Sequence, residues 1–253
     1  MGGPSASRIL KAKIEIAQLS ARTVYVRFWE RADAELFTQL QLRSHDVARA
    51  SVPLMEAALG RCQVLASNDA VAADLVPYLD QHIEEERNHD VWLLDDLEQV
   101  GLSRHEVLSR PPSLTAARVV GAQYYWIYHD HPIALFGYMA ALEGCIASAD
   151  SIEAFITRTG MPREGLRTLL LHARVDPQHA TDLDNLIDRL PLNSRHTAAM
   201  GLSALHTVSL LATLTLEVLD DQRRRVNAGS TRNQARVRRL GSEFPAILEP
   251  HHA

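Results

Sequence analysis

Three residues with metal-binding side chains follow one another at helical spacing in the segment 172–179, which reads His-Ala-Arg-Val-Asp-Pro-Gln-His. At about 100° per residue in an α-helix, His172, Asp176 and His179 lie within one sector of about 60°. Imidazole and carboxylate groups on one face are typical of a metal site. The segment therefore predicts three ligands from a single helix.

Two upstream segments carry further candidate ligands. Glu85, Glu86 and His89 form a Glu-Glu-x-x-His motif in an amphipathic segment, so a carboxylate and the imidazole share a helix face. Because Glu85 and Glu86 differ by about 100° around a helix, they are rivals for one ligand position. Glu143 stands in an almost uncharged segment, 133–145, where a buried carboxylate needs a positive partner.

The combined ligand set indicates iron or manganese. Histidines and carboxylates without a thiolate are typical of these metals rather than of structural zinc. Ferritin-type bundles carry a Glu-x-x-His motif on each of two helices. This chain has one such motif, so the ferritin pattern is not met.

Composition indicates a soluble globular protein. Of the 253 residues 46% are hydrophobic and 23% are charged, and no run of 18 apolar residues or signal peptide is found. We expect one helical domain over 1–226, a basic and poorly ordered tail over 227–253, and a cytoplasmic location. Residues 222–253 carry seven arginines against two glutamates, a charge of +5, so the body carries −10 of a chain whose net charge is −5. An acidic body argues against a nucleic-acid partner.

Apolar residues recur at helical spacing along almost the whole chain, which predicts an all-α bundle of seven or eight helices. Asp69 and Ser113 are candidate N-caps, and Gly101 follows a helix end. Pro177 should kink its helix, or else Asp176 caps a new helix that begins there. The predicted helices are 8–24, 31–42, 45–66, 69–100, 113–128, 132–159 with a break near Asp150, 163–189 and 193–226.

The three ligand segments resemble those of the heme-oxygenase-like di-iron oxidases, a family of all-helical proteins related in fold to heme oxygenase and to thiaminase-like proteins. The resemblance covers about residues 45–220 and rests on three motifs in family-like order. They are His82-Ile-Glu-Glu-Glu86-Arg-Asn-His89, Gly137-Tyr-Met-Ala-Ala-Leu-Glu143-Gly144 and His172-x-x-x-Asp176-x-x-His179.

The resemblance implies a heme-oxygenase-like bundle that binds two Fe(II) ions. The implied ligands are Glu86, His89, Glu143, His172, Asp176 and His179, with Glu143 as a bridge. Glu85 is the rival of Glu86, and Glu56 is a candidate for a further carboxylate from an early helix. Such a centre reduces O2 and oxidises a small amine- or carboxylate-bearing metabolite by N-oxygenation, desaturation or C–C cleavage, typically in natural-product metabolism. An external reductant is compatible with this chemistry.

Two alternatives remain open. A thiaminase-like hydrolase on the same scaffold would use Cys145 as its nucleophile. A non-catalytic helical binding protein would carry the acidic clusters on its surface. Cys62 and Cys145 are too far apart in sequence to suggest a disulfide framework or a metal-binding pair.

The expected partners are a small-molecule substrate and a second copy of the chain, with neither nucleic acid nor membrane. The last long helix, Thr197 to Leu219, is apolar enough to pack on more than one side, which favours a homodimer. The aromatic stretch 123–132, which precedes the Glu143 segment, is a candidate for the substrate pocket.

Overall fold

The computed structural model describes residues 3–144 and 147–242, with side chains described through Arg224, and these residues form helices without any strand. The predicted all-α fold is confirmed. The α-helices are α1 (Ala6–Arg31), α2 (Ala34–Ala48), α3 (Ser51–Leu65), α4 (Ala70–Glu86), α5 (His89–Gln99), α6 (Arg104–Ser109), α7 (Leu114–His129), α8 (Leu135–Glu143), α9 (Ala149–Thr159), α10 (Arg167–Arg189) and α11 (Ser194–Ser242).

Several boundaries differ from the predicted ones. The helix predicted over 69–100 divides into α4 and α5, because Arg87 is extended and Asn88 adopts a left-handed conformation with φ 71°. A short helix, α6, was not predicted, although its capping box between Ser103 and Glu106 is a recognisable signal. The backbone of α11 is helical to Ser242, beyond the predicted end at 226, and residues 243–253 lie outside the described part.

Polar residues at the helix ends account for several of the predicted boundaries. The Asp69 carboxylate accepts a hydrogen bond from the Ala72 amide at 2.9 Å, and the Ser113 hydroxyl accepts one from the Ala116 amide at the same distance. Such bonds satisfy amide groups that have no partner within the helix. Gly101 follows the end of α5 with φ 92°, a conformation that favours glycine.

Helix α11 forms the centre of the bundle and packs against α1, α7 and α8. An apolar 18-residue window within its segment Ser194–Arg224 has mean hydropathy 1.6, so by length and composition alone this helix could cross a membrane. Half of this apolar window is buried within the protein, as in the core helix of a bundle. The surrounding core includes the fully buried side chains of Leu54, Leu75, Leu79 and Phe136.

Pro177 lies within α10, which continues from Arg167 to Arg189. The alternative in which Asp176 caps a new helix is therefore wrong. The segment stays helical because apolar residues on both sides of Pro177, such as Leu170 and Leu183, are buried in the core. That burial outweighs the one backbone hydrogen bond that proline removes.

Gly137 allows the close approach of α8 to α11, since a Cβ atom at this position would overlap the backbone carbonyl of Met200. We expect Gly137→Ala to lower the free energy of unfolding by about 3 kcal/mol through overpacking. Gly121→Ala is the matched control, because it lies in α7 with open space around it. That control should stabilise the protein by about 0.5–1 kcal/mol. Urea unfolding measures both changes, and equal effects would contradict the packing argument.

Candidate metal centre

The candidate ligands come together because four helix segments meet at one wall of an internal cavity. Glu86 is the last residue of α4, and His89 is the first residue of α5. Glu143 ends α8, while His172 and His179 lie two turns apart on α10, which packs against both α5 and α8. Glu86, His89 and Glu143 thus lie at helix ends, and only two residues separate α4 from α5.

Glu86, His89 and His172 form the first group, in which one ligand atom from each residue lies within 4.8 Å of the others. The Glu86 Oε2 atom lies 2.8 Å from His89 Nδ1, although the angles fall short of a hydrogen bond. Burial alone would raise the pKa of Glu86, but the neighbouring His89 imidazole holds it below its ordinary value. The rings of His89 and His172 are nearly perpendicular, at 85° and 4.8 Å between centroids.

The orientation of His172 suits metal binding. Its Nδ1–H group donates to the Thr168 carbonyl oxygen at 2.8 Å, one turn earlier on α10. This bond fixes the tautomer and leaves the lone pair of Nε2 free for a metal. Such a backbone acceptor behind the ring is the usual arrangement of a metal-binding histidine.

His82, Glu85 and His179 form the second group, again with ligand atoms within 4.8 Å of one another. Glu85 Oε2 lies 3.2 Å from His82 Nδ1 and 3.8 Å from His179 Nε2. The two groups are adjacent, because His179 Nδ1 is 3.7 Å from Glu86 Oε1. The sequence made Glu85 and Glu86 alternatives for one ligand position, but in the structure each lies beside histidines of a different group.

Glu143 and Asp176 are the buried carboxyl groups beside these histidines. Glu143 Oε1 lies 3.9 Å from His82 Nε2, whereas its Oε2 atom is buried without a hydrogen-bond partner. Burial, followed by the charges of Asp176 and Glu86, raises the pKa of Glu143 to about 8. Burial is also the main reason that the pKa of Asp176 rises to about 6. A cation would compensate for this concentration of buried acidic groups.

All six predicted ligands line this cavity, and Glu85 lies next to His82 and His179 without lining it. His82 was not among the predicted ligands, although His82-x-x-Glu85 places both residues on one helix face and was a usable signal. Glu56 is exposed on α3 and does not line the cavity, so the structure does not bring it together with the other predicted ligands. On that helix Met55 faces the cavity instead, and Glu56 is rotated from it by about 100°.

The cavity in front of the ligands has a volume of about 1310 Å³ and continues from them toward α1, α2 and α9. Four aromatic side chains form its far wall, in mutual contact with centroid distances from 4.7 to 6.5 Å. They are Phe28, Trp29, Phe37 and Phe155. The predicted pocket stretch 123–132 does not line the cavity, because α7 presents its buried side to other helices and exposes Tyr125 and Tyr128.

A third cluster, of Asp69, His131 and His196, serves as a set of caps rather than as a metal site. His131 Nδ1 accepts a hydrogen bond from the Ile133 amide, so the ring proton is on Nε2. That Nε2–H group lies 3.2 Å from Asp69 Oδ2 and donates to it. Because both ring nitrogens of His131 are engaged, no lone pair remains for a metal.

A family model described as "iron-containing redox enzyme" matches residues 39–212. Since this match spans more than half of the chain, the protein belongs to that family. The matched region contains all the residues of both histidine–carboxylate groups. No curated protein sequence matches the chain significantly.

Several solved structures share the fold. A domain of unknown function with a heme oxygenase-like fold from Shewanella denitrificans matches with TM-score 0.71 and 14% identity, covering 85% of this chain and 91% of that one. A TenA homolog from Pseudomonas syringae pv. tomato matches with TM-score 0.65 and 13% identity, over 87% and 98% of the two chains. A CADD-like protein of unknown function from Nostoc punctiforme matches with TM-score 0.61 and 14% identity, covering 85% of this chain and 97% of that one. The heme-oxygenase-like fold expected from the motifs is confirmed.

Asn88 is expected to control the approach of Glu86 to His89, since its left-handed backbone separates α4 from α5. A β-branched residue there is strained, so Asn88→Val should cost about 1–2 kcal/mol of unfolding free energy. Asn88→Gly is the matched control and should be about neutral, because glycine adopts this conformation readily. Urea unfolding of metal-free protein measures both. Equal stability of the two variants would show that the conformation imposes no constraint.

Proposed function

We propose that this iron-containing redox enzyme is a non-heme di-iron oxidase or oxygenase that activates O2 and oxidises a small amine- or carboxylate-bearing metabolite. The observation that carries the proposal is the pair of adjacent groups, Glu86–His89–His172 and His82–Glu85–His179, of which every residue except Glu85 lines one cavity. Nitrogen and carboxylate ligands without a thiolate suit iron that reacts with oxygen.

The donor set of the described residues fits two ions. One iron would take the first group, with Asp176 beside it, and the other would take the second group. Glu143 would be shared, because it lies near His82 of the second group and its pKa responds to Glu86 of the first. Coordination of a metal by Glu143 would explain why its Oε2 atom is buried without a hydrogen-bond partner.

Two ferrous ions held in this way would supply the binding and reduction of O2. The chain itself contributes orientation and exclusion of water. The Thr168 carbonyl holds the His172 ring, and the aromatic wall at the far side of the cavity provides an apolar surface for the substrate. A substrate of this enzyme is therefore expected to combine a polar group near the irons with an apolar part against Phe37 and Phe155.

The two alternative functions have less support. Cys145, the nucleophile of the hydrolase alternative, lies outside the described residues. The described cysteine, Cys62, is fully buried, and burial raises its pKa to about 12, so it is a poor nucleophile. A binding protein with acidic surface clusters would leave the burial of Glu143 and Asp176 without an explanation.

The direct test is to load the protein with ferrous iron without oxygen and then to mix it with O2. We expect about two irons per chain, a transient visible absorption, and faster oxygen consumption with a substrate found among free amino acids and fatty acids. His172→Ala should lose iron and keep its helix content by circular dichroism, because it removes a ligand and little packing. His206→Ala, at an exposed position of α11, is the matched control.

A protein that binds no iron and does not react with O2 would contradict the proposal. So would a His172→Ala variant that retains both irons. Loss of activity on thiol alkylation, with no iron requirement, would favour the hydrolase instead.

His82 provides a separate prediction for the second group. The Tyr78 ring stacks on the His82 ring at 5.4 Å between centroids. His82→Leu places an apolar side chain of similar size against Tyr78 but removes a nitrogen ligand. We expect the iron content to fall from about two to about one per chain, since the first group is left intact. Iron analysis after gel filtration measures this ratio, and an unchanged ratio would exclude His82 as a ligand.

A further inference from the structure

Helix α1 has two apolar faces, of which the bundle uses one. Its buried face includes Leu10, Ile14, Ala21 and Phe28 and packs against the other helices, mainly α11. The opposite face carries a second stripe that is exposed along its whole length. We call these residues the α1 stripe: Ile9, Ala12, Ile16, Leu19, Thr23 and Val26.

The exposure of the α1 stripe is high for such side chains. Ile16 and Leu19 are each 68% exposed, and Val26 is 45% exposed. At about 100° per residue, the stripe is centred about 180° from the buried face, so the described bundle does not cover it. Apolar residues that are exposed singly are common, but an ordered row along four turns is typical of an interface.

The spacing of the stripe identifies the kind of partner. Its residues follow one another at intervals of three, four, three, four and three, which is the pattern of the a and d positions of a coiled coil. We infer that the α1 stripe pairs with the α1 stripe of a second copy of this chain, with the two helices antiparallel. The inference is independent of the proposed iron chemistry.

Flanking charges favour the antiparallel orientation. With Ile16 beside Leu19 of the partner subunit, Glu15 lies next to the partner's Arg22, and the two-fold axis repeats this pair. Within the described residues, neither Glu15 nor Arg22 has an ion-pair partner in its own chain. A parallel pair would instead bring Arg8 beside the partner's Lys13 and Arg22 beside the partner's Arg27, which is repulsive.

This interface would also cover part of the cavity opening. Leu19, Arg22 and Val26 belong to the stripe or its flank, and all three also line the cavity. A partner helix on the stripe therefore lies across the rim through which a substrate enters. We therefore assign the expected homodimer to α1 rather than to α11, because the α1 stripe has coiled-coil spacing and complementary flanking charges.

The experiment is sedimentation equilibrium of the full chain at micromolar concentrations. We expect twice the chain mass of 28.1 kDa for the unaltered protein and a single chain mass for Leu19→Glu. Leu114→Glu is the matched control, because Leu114 is 67% exposed on α7, and it should remain dimeric. Circular dichroism of each variant establishes that the helices are retained.

The orientation has its own test by charge exchange. Glu15→Arg and Arg22→Glu should each weaken the dimer at least tenfold, because each places like charges together twice. The double variant Glu15→Arg/Arg22→Glu should recover dimer affinity, since it restores opposite charges. Failure of the double variant to recover would overturn the antiparallel assignment.

Two further results would overturn the inference. One is a monomeric unaltered protein, and the other is a dimer that Leu19→Glu does not dissociate. A monomer that sediments with vesicles of phosphatidylcholine and phosphatidylserine, and releases them in the Leu19→Glu form, would assign the stripe to a membrane surface instead.

Discussion

The burial of several acidic groups in one place is the constraint on which this structure depends. Glu143 and Asp176 are removed from water and lie near Glu86, so each raises the cost of ionising the others. Several carboxylates are rarely buried together in a protein interior, because removing a charge from water costs free energy. The arrangement is understandable if a cation stabilises the folded protein here, with the surrounding imidazoles completing the set of ligands.

The same constraint explains where the backbone departs from regular helix. The left-handed conformation of Asn88 and the proline within α10 both lie within three residues of candidate ligands. Each costs local stability, since a non-glycine residue rarely adopts this conformation and Pro177 removes a hydrogen bond. Such departures are common where geometry is required for function. Here the break at Asn88 lets residues from two helices reach one site.

The sequence predicted the parts of this structure that depend on local periodicity. His172, Asp176 and His179 could be placed on one face because an uninterrupted helix fixes their angles, and Asp69 and Ser113 because a cap acts on the residues next to it. The separation of α4 from α5 could not be predicted, since an asparagine in a left-handed conformation has no strong sequence signal. His82 was not among the predicted ligands, although His82-x-x-Glu85 is a local signal. Its place in the second group also depends on the approach of His179 from α10, which is a tertiary contact.

The location of the cavity shows the same limit more clearly. Aromatic residues at 123–132 suggested a pocket by composition, yet none of them lines the cavity, and its aromatic far wall comes from α1, α2 and α9. Phe28, Trp29, Phe37 and Phe155 form a wall only because these helices pack together. Helix α1 contributes to three parts of the structure: its buried face packs in the core, its edge lines the cavity, and its outer stripe is exposed. The size and shape of the cavity therefore depend on contacts between helices far apart in the sequence, whereas the spacing of the candidate ligands within one helix depends on local geometry.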